Sequence, residues 1–98
     1  MSVAIVTGGT RGIGHAISIA LKEAGYKVAA NYASNDDAAN QFKKETGIHV
    51  FKWDVADFDA CHKGVEQVTK ELGNIDILVN NAGITRDSTL HRMTFEQW

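Results

Sequence analysis

The run Thr7-Gly8-Gly9-Thr10-Arg11-Gly12-Ile13-Gly14 has the composition of a phosphate cradle. Glycine reaches positive φ without strain and lets an anion come close to the backbone. An amphipathic helical pattern starts at Ile13, so the run also ends at a helix start. The first amides of a helix lack intrahelical partners and lie at the positive end of its dipole, where a pyrophosphate is stabilised. The glycine spacing here is Thr-Gly-x-x-x-Gly-x-Gly. Read as G-x-G-x-x-G from Gly12, it puts Ile17 in the place of the last glycine. A plain tight turn with a helix cap is the competing reading. The apolar run Val3-Ala4-Ile5-Val6 directly before it favours the phosphate site, because strand, glycine turn and helix are the context such a loop requires.

Cofactor type is read further on. A carboxylate about 20 positions past the loop glycines would accept bonds from a ribose 2′-OH and favour NAD. Counting from Gly12 reaches Tyr32, flanked by Asn31 and Ala33, and none of these is acidic. Asp36 and Asp37 come later and suit the first turn of the next helix. Arg11 can pair with a 2′-phosphate, so the combination favours NADP(H). Its plain alternative is a solvated loop arginine. Asp54 and Val55 end a third strand, where a carboxylate accepts from an adenine amino group or simply closes a turn. Asn80-Asn81-Ala82-Gly83 ends a fourth. Its small residues leave room for ribose and nicotinamide, and its carboxamides can tie neighbouring loops. Thr85-Arg86-Asp87 follows over the crevice mouth, either meeting a substrate or standing as a polar loop. His15, His49, His62, His91 and Cys61 lack metal-ligand spacing; Cys61 reads as core, the histidines as surface, and Trp53 as packed on a helix.

The elements that must position these residues alternate. Strands are predicted at Val3–Val6, Lys27–Tyr32, His49–Asp54 and Ile75–Val79. Between them lie three helices. The first has Ile13, Ala16, Ile17, Ala20, Leu21 and Ala24 inward and ends at Gly25. The second is capped by Ser34 or Asn35 and runs to about Glu45, with Ala38, Ala39 and Phe42 inward and Gly47 closing it. Asp57 caps the third, whose inner stripe is Phe58, Cys61, Val65, Val68 and Leu72, closed by Gly73. The loop Ile84–Met93 has no clear period, and Thr94 with Gln97 resembles a capping box opening another helix. This βαβαβαβ order implies a parallel sheet with right-handed crossovers, in strand order 3-2-1-4, with a crevice between strands 1 and 4.

The 98 residues make one domain, 1–98, at net charge −2, which excludes a nucleic-acid footprint. One cysteine excludes an internal disulfide framework and fits a reducing compartment. No signal peptide and no membrane-length apolar stretch is visible, so a cytoplasmic location is expected.

At Thr7–Gly14 and Asn80–Gly83 the chain resembles the short-chain dehydrogenase/reductases, over its whole length. Lys52-Trp53-Asp54-Val55, Gly83–Asp87 and Met93–Trp98 resemble, within that family, the reductases of 3-oxoacyl thioesters carried on coenzyme A or on an acyl carrier protein. The resemblance implies the N-terminal part of a Rossmann-type α/β fold lacking the later strands. It implies an NADP(H) site lined by Gly8, Thr10, Arg11, Gly12, Ile13, Gly14, Asn31, Asp54, Val55, Asn81, Ala82, Gly83, Ile84 and Thr85, with Asp87 near an acyl thioester substrate. The family's catalytic Asn, Ser, Tyr and Lys match no residue here, so no catalytic residue is expected within the chain and it is expected to be inactive alone. It implies a homotetramer for the complete enzyme, and no nucleic-acid or membrane partner. A strand 4 apolar on both faces would be left as an open edge, so this chain is expected to aggregate or to need a C-terminal partner. A non-catalytic nucleotide-binding module, or half of a split enzyme, is the alternative from a different class.

Overall fold

The computed structural model describes residues 2–81 and the backbone of 91–93. Four parallel strands, β1 (Val3–Val6), β2 (Lys27–Tyr32), β3 (His49–Lys52) and β4 (Ile75–Asn80), alternate with α1 (Gly12–Glu23), α2 (Asp36–Thr46) and α3 (Phe58–Leu72). Their order in the sheet is 3-2-1-4, as read from the sequence. Alternate residues of β1 feed opposite cores, as a strand covered on both faces requires. Val3 and Ile5 join Ala29, Phe51, Trp53 and Leu78 under Cys61, Val65 and Val68 of α3. Ala4 and Val6 join Val28, Ala30, Ile77 and Val79 under Phe42 of α2, with Ile17 and Leu21 of α1 packed against them.

The caps follow their residue types. Asn35 accepts the amide of Ala38, and Asp57 that of Ala60. Gly47 closes α2 in the left-handed region at φ 73°, which a residue without Cβ adopts freely. Asp76 is the polar interruption of β4. It accepts the Val3 amide at 3.2 Å where the β1–β4 register shifts, giving that N–H an acceptor where the ladder is irregular.

Four expectations are corrected. β3 ends at Lys52 rather than Asp54, because Asp54 turns the chain toward α3. Phe58 is not inward: it is 83% exposed, the first residue after the cap and beyond the edge of the core stripe. On α1 the fully buried positions are Gly14 and Ser18, while Ile13, Ala16, Ala20 and Ala24 face out. Where the helix meets the β1–α1 loop, at Gly14 and Ser18, only small residues fit, while Ile17 and Leu21 pack on the core as expected. Finally, β4 is not an open edge throughout. A short strand β5 (His91–Met93) pairs antiparallel with it, matching Leu78 to Met93 and Asn80 to His91. Three residues are too few for alternation to show in the sequence, which is why Ile84–Met93 read as periodless. The helix expected from Thr94 lies outside the described residues.

α3 packs closely on Trp53, just past the end of β3. A Cβ on Gly64 would stand 2.4 Å from the Trp53 ring. Glycine within a helix costs about 1 kcal/mol against alanine, so an unconstrained Gly64→Ala would stabilise. Here overpacking of roughly 1–3 kcal/mol outweighs that gain. Denaturant unfolding should show Gly64→Ala less stable than the parent; an increase would mean that α3 can move off Trp53 freely.

Candidate functional site

The glycine run crosses from the carboxyl end of β1 to the start of α1 and is held from several sides. The Thr7 amide donates to the Val79 carbonyl at 3.0 Å, and the Thr7 hydroxyl lies 3.2 Å from Asn80 Oδ1. The Gly8 amide donates to Asn31 Oδ1 at 3.2 Å, and the Gly8 carbonyl accepts from Asn81 Nδ2 at 3.1 Å. The Gly9 amide donates to the Asn31 carbonyl. From below, the Ser18 hydroxyl reaches the carbonyls of Gly9 at 3.1 Å and Gly14 at 2.8 Å. β1, β2, β4 and α1 therefore all fix the loop. Both Asn80 and Asn81 tie it, as their carboxamides allowed.

Two glycines are required for different reasons. Gly8 turns the chain at φ 63°. A Cβ on Gly14 would fall 2.0 Å from the Gly8 carbonyl oxygen, so the loop folds directly onto the helix start. That contact leaves the first turn of α1 facing the loop's open side. Arg11 is the N-cap and makes no side-chain capping bond, and the first turn holds no acidic residue. By contrast α2 and α3 each have a carboxamide or carboxylate cap and acids in the first turn. The start of α1 is thus built to receive a negative charge from outside. Arg11, Gly12 and Ile13 are exposed beside it, while Thr10 is buried at 7% and lies behind the loop.

The other expected site residues are placed as follows. Asn31 is 2% exposed, with Oδ1 on the Gly8 amide and Nδ2 donating to the Trp53 carbonyl at 2.9 Å. Its carboxamide is committed to the frame and positions the loop from beneath. Asp54 is exposed, with Oδ1 accepting from the Ala56 amide at 2.9 Å, so it closes the turn into α3 and keeps its other oxygen outward. Val55 beside it is half-buried and lines a groove with Trp53, Phe58, Leu78, Thr7 and Asn80. Ala82, Gly83, Ile84, Thr85 and Asp87 lie outside the described residues. No grouping of His, Cys, Asp and Glu suited to a metal occurs among the described residues. Cys61 is core, and burial pushes its thiol above the usual range.

Ser18 was not foreseen. A serine on the buried line of an apolar helix, four residues after a loop glycine, is the signal that could have found it. A second unforeseen feature is a cluster of Tyr32, Asp36 and Lys52 at the sheet's carboxyl end.

The loop geometry, the 3-2-1-4 sheet and the strand-4 asparagines agree with one another, and residues 2–98 match the short chain dehydrogenase family. The chain belongs to that family. It is 69% identical over 96 residues to an acetoacetyl-CoA reductase of Paracoccus denitrificans, covering 98% of this chain and 40% of the relative. A short-chain dehydrogenase/reductase structure from Serratia marcescens superposes with TM-score 0.79 at 41% identity, covering 85% of this chain and 36% of that one. BdcA in complex with NADPH superposes with TM-score 0.69 at 41% identity, covering 85% of this chain and 32% of that one. The chain spans about two fifths of the length of the acetoacetyl-CoA reductase it matches. Among the described residues no helix is long and apolar enough to cross a membrane.

The two glycines give a paired test. Gly14→Ala places a methyl against backbone that cannot move without opening the loop. Overpacking of roughly 1–3 kcal/mol at the site should weaken nucleotide binding by about tenfold or more. A Cβ on Gly12 meets nothing within 4 Å, so only its φ of 55° resists. Gly12→Ala should cost about 1–2 kcal/mol of stability and bind better than Gly14→Ala. Titration calorimetry of both variants decides it; the reverse order would mean that the loop does not fold onto the helix start.

Proposed function

We propose that this chain is the NADPH-binding part of a reductase of 3-oxoacyl thioesters, acting on acetoacetyl-CoA to give 3-hydroxybutyryl-CoA. The observation that carries the cofactor choice is the end of β2. Tyr32 ends β2, with Asn31 before it and Ala33 after, so no carboxylate stands where an NAD-selective site would offer one to the ribose. Arg11, exposed at the uncapped start of α1, supplies the positive partner for a 2′-phosphate. The NADPH complex of BdcA, a structurally similar protein at 41% identity, supports the same choice. The substrate rests on the 69% identity to a protein named for reducing acetoacetyl-CoA.

Bound NADPH would supply the hydride. The chain's own residues would do the holding. The first amides of α1 and its dipole would take the pyrophosphate, and Arg11 would take the 2′-phosphate. Asp54 and Val55 would border the adenine, and Asn81 and the small residues that follow it in sequence would leave room for ribose and nicotinamide. Reduction of a ketone also needs a proton donor and hydrogen bonds that fix the carbonyl. We assign those to residues outside these 98, as the family pattern implies, and a homotetrameric complete enzyme belongs to the same proposal.

Calorimetry should show tighter binding of NADPH than of NADH. Arg11→Ala should weaken NADPH by about 1.5–3 kcal/mol, the usual worth of a bond to a charged group, and leave NADH nearly unchanged. Equal affinity for the two nucleotides, or an equal loss for both in Arg11→Ala, would contradict the assignment.

A further inference from the structure

Tyr32 and Lys52 are register partners at the carboxyl ends of β2 and β3, so their side chains leave the same edge on the same face. α2 begins just beyond them, and its first residue, Asp36, reaches back over both. The Tyr32 hydroxyl donates to Asp36 Oδ1 at 3.0 Å. Lys52 Nζ lies 3.3 Å from each carboxylate oxygen. Both donors hold the Asp36 carboxyl below the usual range, the Tyr32 bond contributing most, so it stays charged at neutral pH.

The position of this carboxylate matters more than its strength. Lys52 and Asp36 are 51% and 56% exposed, and an ion pair so open contributes little to stability. It stands, however, just past the end of β2, where this fold reads the adenosine ribose. A free carboxylate at that rim would repel a 2′-phosphate. We propose that Lys52 and Tyr32 are specificity determinants: by engaging and neutralising Asp36, they make the rim of the site compatible with a 2′-phosphorylated nucleotide. This rests on the NADPH reading above and adds to it. Arg11 supplies attraction, and the Lys52–Asp36 pair removes a repulsion.

The test uses the whole chain and two probes, 2′,5′-ADP and 5′-AMP, titrated calorimetrically into the parent, Lys52→Met and the double variant Lys52→Met/Asp36→Asn. All the altered side chains are about half exposed, so melting temperatures should stay close to the parent. Unmasking Asp36 should weaken 2′,5′-ADP by about threefold to tenfold, the range for a charge at the rim between water-like and surface dielectric, with 5′-AMP unchanged. The double variant carries no net change in charge and should recover 2′,5′-ADP binding to within about twofold of the parent.

A parent without preference for 2′,5′-ADP overturns the cofactor reading, and this inference with it. A parental preference that survives Lys52→Met overturns this inference alone. So does a loss that the double variant fails to rescue, which would make Lys52 a direct phosphate ligand. An equal loss for both probes, following a lower melting temperature, would reduce the cluster to a staple between α2 and the sheet and overturn it as well.

Discussion

One buried carboxamide connects the parts of this structure that have to agree. Asn31 accepts the Gly8 amide with its oxygen and donates to the Trp53 carbonyl with its nitrogen, joining the phosphate loop, β2 and the end of β3. Both groups are needed. A carboxylate of the same shape has no N–H for Trp53, and an apolar side chain leaves two buried polar groups unpaired, each costing about 1–3 kcal/mol. The residue that steadies the loop thus also ties it to the turn that follows β3.

From that link the rest of the site follows by close approach. The loop is pinned from β2 by Asn31, from β4 by Val79, Asn80 and Asn81, and from α1 by Ser18. With its carbonyls turned inward to these donors, the loop folds tightly onto Gly14, where a Cβ would nearly coincide with the Gly8 oxygen. α1 alone among the three helices then begins without a side-chain cap or an acid in its first turn. Its positive end is left for a ligand, while α2 and α3 neutralise theirs internally. Trp53 plays the matching part on the other face, accepting Asn31 through its carbonyl and seating Gly64 of α3 against its ring.

Much of this was legible in the sequence, and the reasons are local. Each strand is a short apolar run between glycines or polar turns, and Asn35 and Asp57 cap their helices as their side chains dictate. The strand order followed from the alternation of strands and helices. What was not legible depended on distances between elements. Of the apolar stripe read on α1, Ile17 and Leu21 pack against the core while Ile13, Ala16, Ala20 and Ala24 face out, and the fully buried positions are Gly14 and Ser18, where the loop leaves no space for larger residues. Phe58 looked inward by periodicity and is exposed, being the first residue past its cap. Gly64 carries no signal in its neighbours, since its reason is a ring from another element. At the site, Asn31 was foreseen as a cofactor contact, but its commitment to Gly8 and Trp53 requires the fold to be seen. β5 is too short to show a period at all.

The central claim is that the loop, held by Asn31 and open at α1, is where a nucleotide binds. Amide chemical shifts of the chain titrated with NADPH test this most directly. The account predicts the largest changes at Gly8, Gly12, Ile13 and Gly14, smaller ones at Asp54 and Val55, and an Asn31 side-chain amide that keeps its shift because its bonds are internal. Shifts centred instead on the outer face of α3, or an Asn31 side chain that responds as a ligand contact does, would contradict it.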